Sequence, residues 1–235
     1  DLGQLVNTNI QLPECNAERF VSLYPFFPYQ IYLIPDIVKN LRSAGGHGEQ
    51  LSGSTRTLLA ITQDILRAGR RDYLQAAVGE MVSFDELYHN LSGEGEVNAE
   101  VRREIAKIET GVNGASDLTR RVAEVLYLIG QVNYVPRTID NLARLLVEHS
   151  DEDLTVIINR IEPELERLFN GRMVAKIGNE YEFLTGERRS FEEEVKDESI
   201  KRPDMEMGLA RLAIDNDLLG FETIPFKGKD FPVRI

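Results

Sequence analysis

Arg56 is placed where an arginine can do chemistry. It follows the turn-forming run Leu51-Ser52-Gly53-Ser54-Thr55 and opens a stretch in which Leu58, Ile61, Ile65 and Leu66 recur at helical spacing. A guanidinium in the first turn of a helix can be presented toward a nucleotide held by a neighbouring domain. There it stabilises charge on a transferring phosphate and couples nucleotide state to domain position. The plainer reading is a solvent-facing arginine on an amphipathic helix. Three arginine doublets, Arg70-Arg71, Arg102-Arg103 and Arg120-Arg121, pose the same choice between phosphate contact and ordinary helix-surface charge. Glutamates lie close to the second and third doublets, which favours surface charge there, so the first doublet keeps more weight as a phosphate contact.

Other chemistries lack their residues. His47, His89 and His149 are scattered singly, and no histidine or cysteine pair has metal-ligand spacing. No nucleophile-elbow pattern is present. The loop Gly45-Gly46-His47-Gly48 lacks the lysine and hydroxyl residue of a P-loop and reads as a flexible connection. With no Walker A motif, this polypeptide cannot cradle a triphosphate by the usual P-loop route.

The chain has 235 residues, 42% of them hydrophobic, enough for a substantial core and an expected two domains. Its net charge of −12 is the opposite of what phosphate-dominated duplex binding needs. Cys15 is the only cysteine, so no internal disulfide forms, and a cytoplasmic location is expected. No apolar run has the length of a membrane span, and no membrane contact is expected. The start at Asp1 without methionine, and the end at Ile235 within a strand-like run, suggest a segment of something longer.

The elements that must position Arg56 come first along the chain. Asp1 to Phe20 is weakly patterned, with strand-like Leu2, Leu5, Val6 and Ile10. Tyr24-Pro25-Phe26-Phe27-Pro28-Tyr29-Gln30 forms an extended apolar lead-in to a helix whose face is Ile34, Ile37, Val38 and Leu41. Pro35 lies inside that helix and predicts a kink or break. After the Arg56 helix, Asp72 to Val78 reads as a short helical run. Ser83 and Glu86 have capping-box spacing for a helix to Leu91. Val101, Ile105, Ile108 and Val112 line a longer helix ending near Asn113-Gly114. The first half is thus an all-helical bundle with short loops.

From Ser116 to Thr185 the pattern is helix, helix, helix, hairpin. Ser116 caps the first helix, with Leu118, Val122, Val125, Leu126 and Ile129 as its apolar face and Gly130 near its end. Thr138 caps the second, which carries Ile139, Leu142, Leu145 and Leu146. The third runs through Leu154, Ile157, Ile158, Ile161, Leu165 and Leu168 to a left-handed stop at Asn170-Gly171. Met173–Ile177 and Glu180–Leu184 pair across Gly178-Asn179. This order describes a winged helix, a fold that binds DNA, binds proteins or braces larger machines. Between Asp151 and Asn170 there are six acids against Arg160 and Arg167, and Pro163 interrupts the run. A recognition helix would place that charge beside phosphates, so a bracing or protein-docking role is expected. Beyond it, Phe191–Lys201 and a run opening at Pro203 read as helices. Phe221–Phe226 and Asp230–Ile235 read as a hairpin.

The run Tyr24-Pro25-Phe26-Phe27-Pro28-Tyr29-Gln30 resembles the YPF-x-PYQ signature of the large P-loop ATPases of BREX-type phage-defence and phage-growth-limitation systems. Leu51-Ser52 through Arg56, followed by Leu58-Leu59, is similar to the next block of that family, and Tyr181-Glu182-Phe183-Leu184-Thr185 to a later one. The resemblance implies a mainly α segment downstream of an AAA+-like nucleotide-binding core: a helical lid over 1–113, a winged helix over 114–190, and a helical linker with the start of a further region over 191–235. It implies antiviral defence as the setting. It implies an upstream nucleotide-binding domain of the same chain as partner, with other defence proteins or self-association beyond it. It implies ATP and Mg²⁺ for the full-length parent, with no cofactor or metal in this segment. A sensor-like catalytic arginine of the lid carries over only to Arg56.

Two other readings differ in class: a stand-alone winged-helix DNA-binding regulator, and a scaffold with no nucleotide link. The charge balance separates the regulator from the rest. In a mobility-shift assay at physiological salt the chain is expected to bind DNA weakly and without sequence preference. Nanomolar, site-specific binding would promote the regulator.

Overall fold

The structure is a computed structural model that describes residues 2–44, 55–197, 207–209, 211–212, 223–226 and 229–232. It is mainly helical. Helices α1 (Ala17–Leu23), α2 (Pro28–Ala44), α3 (Thr55–Ala68), α4 (Asp85–Gly93), α5 (Ala99–Ala106) and α6 (Ile108–Gly111) fill the first half. Helices α7 (Asp117–Ile129), α8 (Ile139–Leu145) and α9 (Leu154–Asn170) follow, then strands β1 (Val174–Ile177) and β2 (Glu180–Phe183) and helix α10 (Gly186–Asp197). Residues 1–189 form one compact unit, which contains position 113/114, where the sequence suggests a boundary. A second unit spans 190–235. In it β3 (Thr223–Phe226) and β4 (Lys229–Pro232) pair antiparallel, with Ile224 opposite Phe231. The Gly45–Gly48 loop, the turn at 51–54 and most of 198–222 lie outside the described residues. No described helix is long and apolar enough to cross a membrane.

Local chemistry explains where the elements begin. Asn16 caps α1 by accepting from Arg19 N, a helix that the strand-like apolar residues of the first twenty positions do not announce. Ser116 and Thr119 form a reciprocal capping box on α7, and Thr138 caps α8. Three expectations fail for identifiable reasons. Asp72–Val78 is a series of turns, because the Asp72 carboxylate accepts from Leu74 N and competes with a helical turn. Ser83 does not cap α4. Its hydroxyl donates to the Asp85 carboxylate, and the Glu86 side chain accepts from Arg70 N. The left-handed residue after α9 is Arg172, at φ 56°, and not Gly171. Gly171 is needed for space, since a Cβ there would sit 2.9 Å from Val112 Cγ2. Both α2 and α9 continue through their internal prolines, Pro35 and Pro163.

The core is continuous from Leu33, Ile37 and Leu41 of α2, through Leu87 and Leu91 of α4 and Ile105 of α5, to Val122, Leu126 and Ile129 of α7 and Ile161 and Leu165 of α9. Backbone pairing joins the halves. Met81 N donates to Glu148 O at 2.8 Å, Phe84 N to Leu145 O at 2.8 Å, and Ser150 N to Gly79 O at 2.8 Å, so residues 79–84 run antiparallel to 145–150. The Tyr24–Gln30 block is a keystone of the same contact. Tyr29 is fully buried and donates its hydroxyl to Arg144 O at 2.7 Å. Gln30 is buried, accepts from Phe27 N at 2.8 Å, and donates to Val82 O at 2.8 Å. Gln30→Leu keeps the volume and strands both backbone groups. It should cost on the order of 2–4 kcal/mol in urea unfolding; a loss under about 1 kcal/mol would show that the bracket contributes little.

Candidate functional site

Two places bring chemically capable side chains together: a cleft at the start of α3, and a buried ion-pair cluster between α3, α4 and α7. The cleft, of about 530 Å³, lies between α2, α3 and α4 and is lined by Arg42, Arg56, Asp64, Asn90, Glu94 and Glu96, with Thr57, Ala60, Ile61 and Leu91 as its floor and walls. Arg42 donates from Nε and Nη2 to Glu96 Oε1, at 2.9 and 2.6 Å, and is neutralised. Arg56 is exposed in the first turn of α3, and no ion pair among the described residues engages it. With two arginines against Asp64, Glu94 and Glu96, the cleft carries a formal charge of −1. On its own it does not attract a free phosphate. It presents one uncommitted guanidinium beside a helix N-terminus whose field favours anions.

The arginine doublets resolve differently. Arg70 Nη2 meets Asp85 at 2.6 Å and Glu124 at 2.8 Å. Arg71 Nη2 reaches Glu148 at 2.7 Å. Arg120 pairs with Glu124, Asp117 and Glu109, and Arg121 with Asp85 at 2.9 Å and Glu148 at 2.8 Å. Thus Arg70-Arg71, the doublet with more weight as a phosphate contact, is held by carboxylates of its own chain. Arg102 Nη1 donates to Ser92 O, and Arg103 is exposed. His89 and His149 are exposed, and His47 lies outside the described residues. Among the described residues no group of three or more His, Cys, Asp or Glu could hold a metal.

The acids of the cluster escape a reading based on basic motifs, although they leave a signal. Asp85 and Glu86 interrupt the buried run Met81–Tyr88, and Glu124 interrupts Val122–Ile129. A charge inside an otherwise buried apolar run demands a partner, and the doublets supply it. Burial pushes the Asp85 carboxyl up, but Arg121 and then Arg70 outweigh it, so its pKa lies below the usual value. Glu124 goes the other way, to about 7: burial raises it, and Arg120 and Arg70, each shared with other carboxylates, only partly oppose that. No protein-family model matches the chain, and no solved structure matches it.

The cluster is therefore a structural lock with a defined pH signature. Asp85 contributes stability that is present above its ordinary value near 3.8 and lost as pH falls through its lowered folded value. Glu124 contributes stability that is full below about 4.5 and lost as pH rises through about 7. Chemical unfolding from pH 2 to 8 should show a flattened acid limb in Asp85→Asn and a flattened slope between pH 4.5 and 7 in Glu124→Gln. Asp85→Ala, which removes the carboxylate shared by Arg70 and Arg121 and leaves them only Glu124 and Glu148, should cost about 3 kcal/mol at neutral pH. An unaltered acid limb in Asp85→Asn would remove Asp85 from the centre of the cluster.

Proposed function

We propose that this chain is the lid and winged-helix segment of a large P-loop ATPase of BREX-type antiviral defence, and that it couples nucleotide state to contacts between domains or partners. In this reading α1–α6 form the lid, and α7–α9 with the β1–β2 hairpin form the winged helix. Arg56 is the sensor-like residue. ATP and Mg²⁺ are held by the upstream nucleotide-binding domain, and this segment adds one guanidinium to the phosphates. Supporting the reading is the resemblance of the Tyr24–Gln30 and Leu51–Leu59 blocks to that family. The observation that carries it is the contrast among arginines: Arg70, Arg71, Arg120 and Arg121 are consumed by carboxylates, whereas Arg56 stands exposed at the start of a 14-residue helix with no ion-pair partner among the described residues. The slightly acidic cleft around it fits a residue that acts on a phosphate bound elsewhere. Glu162 and Glu166 are exposed on α9, which supports protein bracing over direct DNA reading and leaves any DNA contact weak or indirect.

The test is made in the full-length parent. Arg56→Ala should leave the circular-dichroism spectrum and melting unchanged, because the side chain is exposed. ATP turnover should fall on the order of 10²-fold, with ATP binding less affected, as for a contact made mainly in the transition state. Unchanged turnover in an equally folded variant would return Arg56 to the surface.

A further inference from the structure

Two further clefts border α2, and what they imply does not depend on the reading above. One, of about 700 Å³, is bounded by the N-terminal segment, α2, the loop between α7 and α8, and β2. Its lining is unusually rich in carboxamides: Asn7, Asn9, Asn40, Gln131 and Asn133. Three of these have a settled orientation, because their partners are backbone carbonyls, which only accept. Asn40 Nδ2 donates to Gln131 O at 2.7 Å, Gln131 Nε2 to Tyr127 O at 3.1 Å, and Asn9 Nδ2 to Asn133 O at 3.5 Å. The amide nitrogens thus brace the loop, and the amide oxygens are left as acceptors. Asp36 adds to them. Its Oδ2 accepts from the Tyr134 hydroxyl at 2.9 Å, and no cation pairs with it among the described residues. The arginine in the lining, Arg137, is already beside Glu180, with Nε 3.7 Å from its carboxylate.

Asp36 also lines the second cleft, of about 810 Å³, so the two meet at its carboxylate. There the character changes. Pro13, Leu23, Pro28, Ile31, Tyr32 and Pro35 make one wall of proline rings, aliphatic groups and an exposed tyrosine, and α1 supplies a polar edge in which Glu18 offsets the charge of Arg19, whose Nη1 donates to Glu14 O. Such walls suit extended segments in the polyproline conformation. An acceptor-rich half with an unpaired carboxylate next to a proline- and tyrosine-lined half calls for one occupant that has both characters. A small cation would use only the first half, and an apolar group only the second.

We propose that this paired groove binds an extended peptide of a partner protein in which proline or aliphatic residues alternate with arginine or lysine. The basic side chain donates to Asp36 and to the amide oxygens of Asn40 and Gln131, and the neighbouring apolar residue packs on Tyr32 and Pro35. Charge complementarity selects the peptide, since the whole chain is at −12.

The test uses fluorescence polarisation with the 235-residue chain and labelled octapeptides. An alternating Pro-Arg peptide should bind with micromolar affinity at physiological salt, and an alternating Pro-Glu peptide should not. Asp36→Asn, which keeps the Tyr134 hydrogen bond, should weaken binding about tenfold or more, as should the double change Asn40→Ala with Gln131→Ala. Glu162→Gln with Glu166→Gln, exposed on α9 and outside the lining of both clefts, should leave binding unchanged. Three results would each overturn the proposal: no binding of the Pro-Arg peptide, equal weakening by the α9 change, which marks general attraction to an acidic chain, or equal binding of an alternating Gly-Arg peptide, which shows the apolar half to be unused.

Discussion

The Asp85 carboxylate, buried between Arg70 and Arg121, is the constraint on which the larger unit turns. A lone ionised carboxylate at that depth would be costly, and its two guanidinium partners come from opposite halves of the chain. Arg70 follows α3, and Arg121 belongs to α7. The pairing therefore cannot form until residues 1–113 and 114–189 have come together. The same demand recurs one turn further along α7, where Glu124 is met by Arg70 and Arg120. Backbone pairing of 79–84 with 145–150 and the Tyr29 hydroxyl on Arg144 O lie on the same seam.

This arrangement separates two kinds of arginine that look alike in the sequence. Those of the doublets at 70 and 120 give their hydrogen-bonding capacity to the seam and act in folding. Arg56 is exposed and has no such commitment among the described residues. Charge count alone does not make that distinction. It comes from where the carboxylates are.

Much of the fold was legible in the chain. The helical faces of α7, α8 and α9, the caps at Ser116 and Thr138 and the β1–β2 hairpin follow from local signals, and local signals are what a sequence displays most directly. The failures share a cause. Ser83, Glu86 and Asp72 are residue types that cap helices or make turns, and each has a competing partner close in space. For Ser83 and Glu86 the competitor belongs to the distant cluster, which no local spacing reveals. The lone Asn16 cap and the run Val101–Val112, which divides into α5 and α6 around Lys107, lie at the limit of what periodicity resolves. For the candidate sites, Arg56 was visible from its turn and helix. The carboxamide groove was not, because Asn7, Asn40 and Asn133 are far apart in the chain and ordinary in composition.

The antiparallel stitch between 79–84 and 145–150 has a mechanical consequence. Hydrogen bonds that run across a seam resist shear along it better than side-chain contact alone. The stitch lies between α4 and α8, and α8 packs on α9, so the contact runs on from the first half of the chain into the second. Sliding of 79–84 along 145–150 must break these backbone hydrogen bonds together, so the two halves of the larger unit are coupled at this seam.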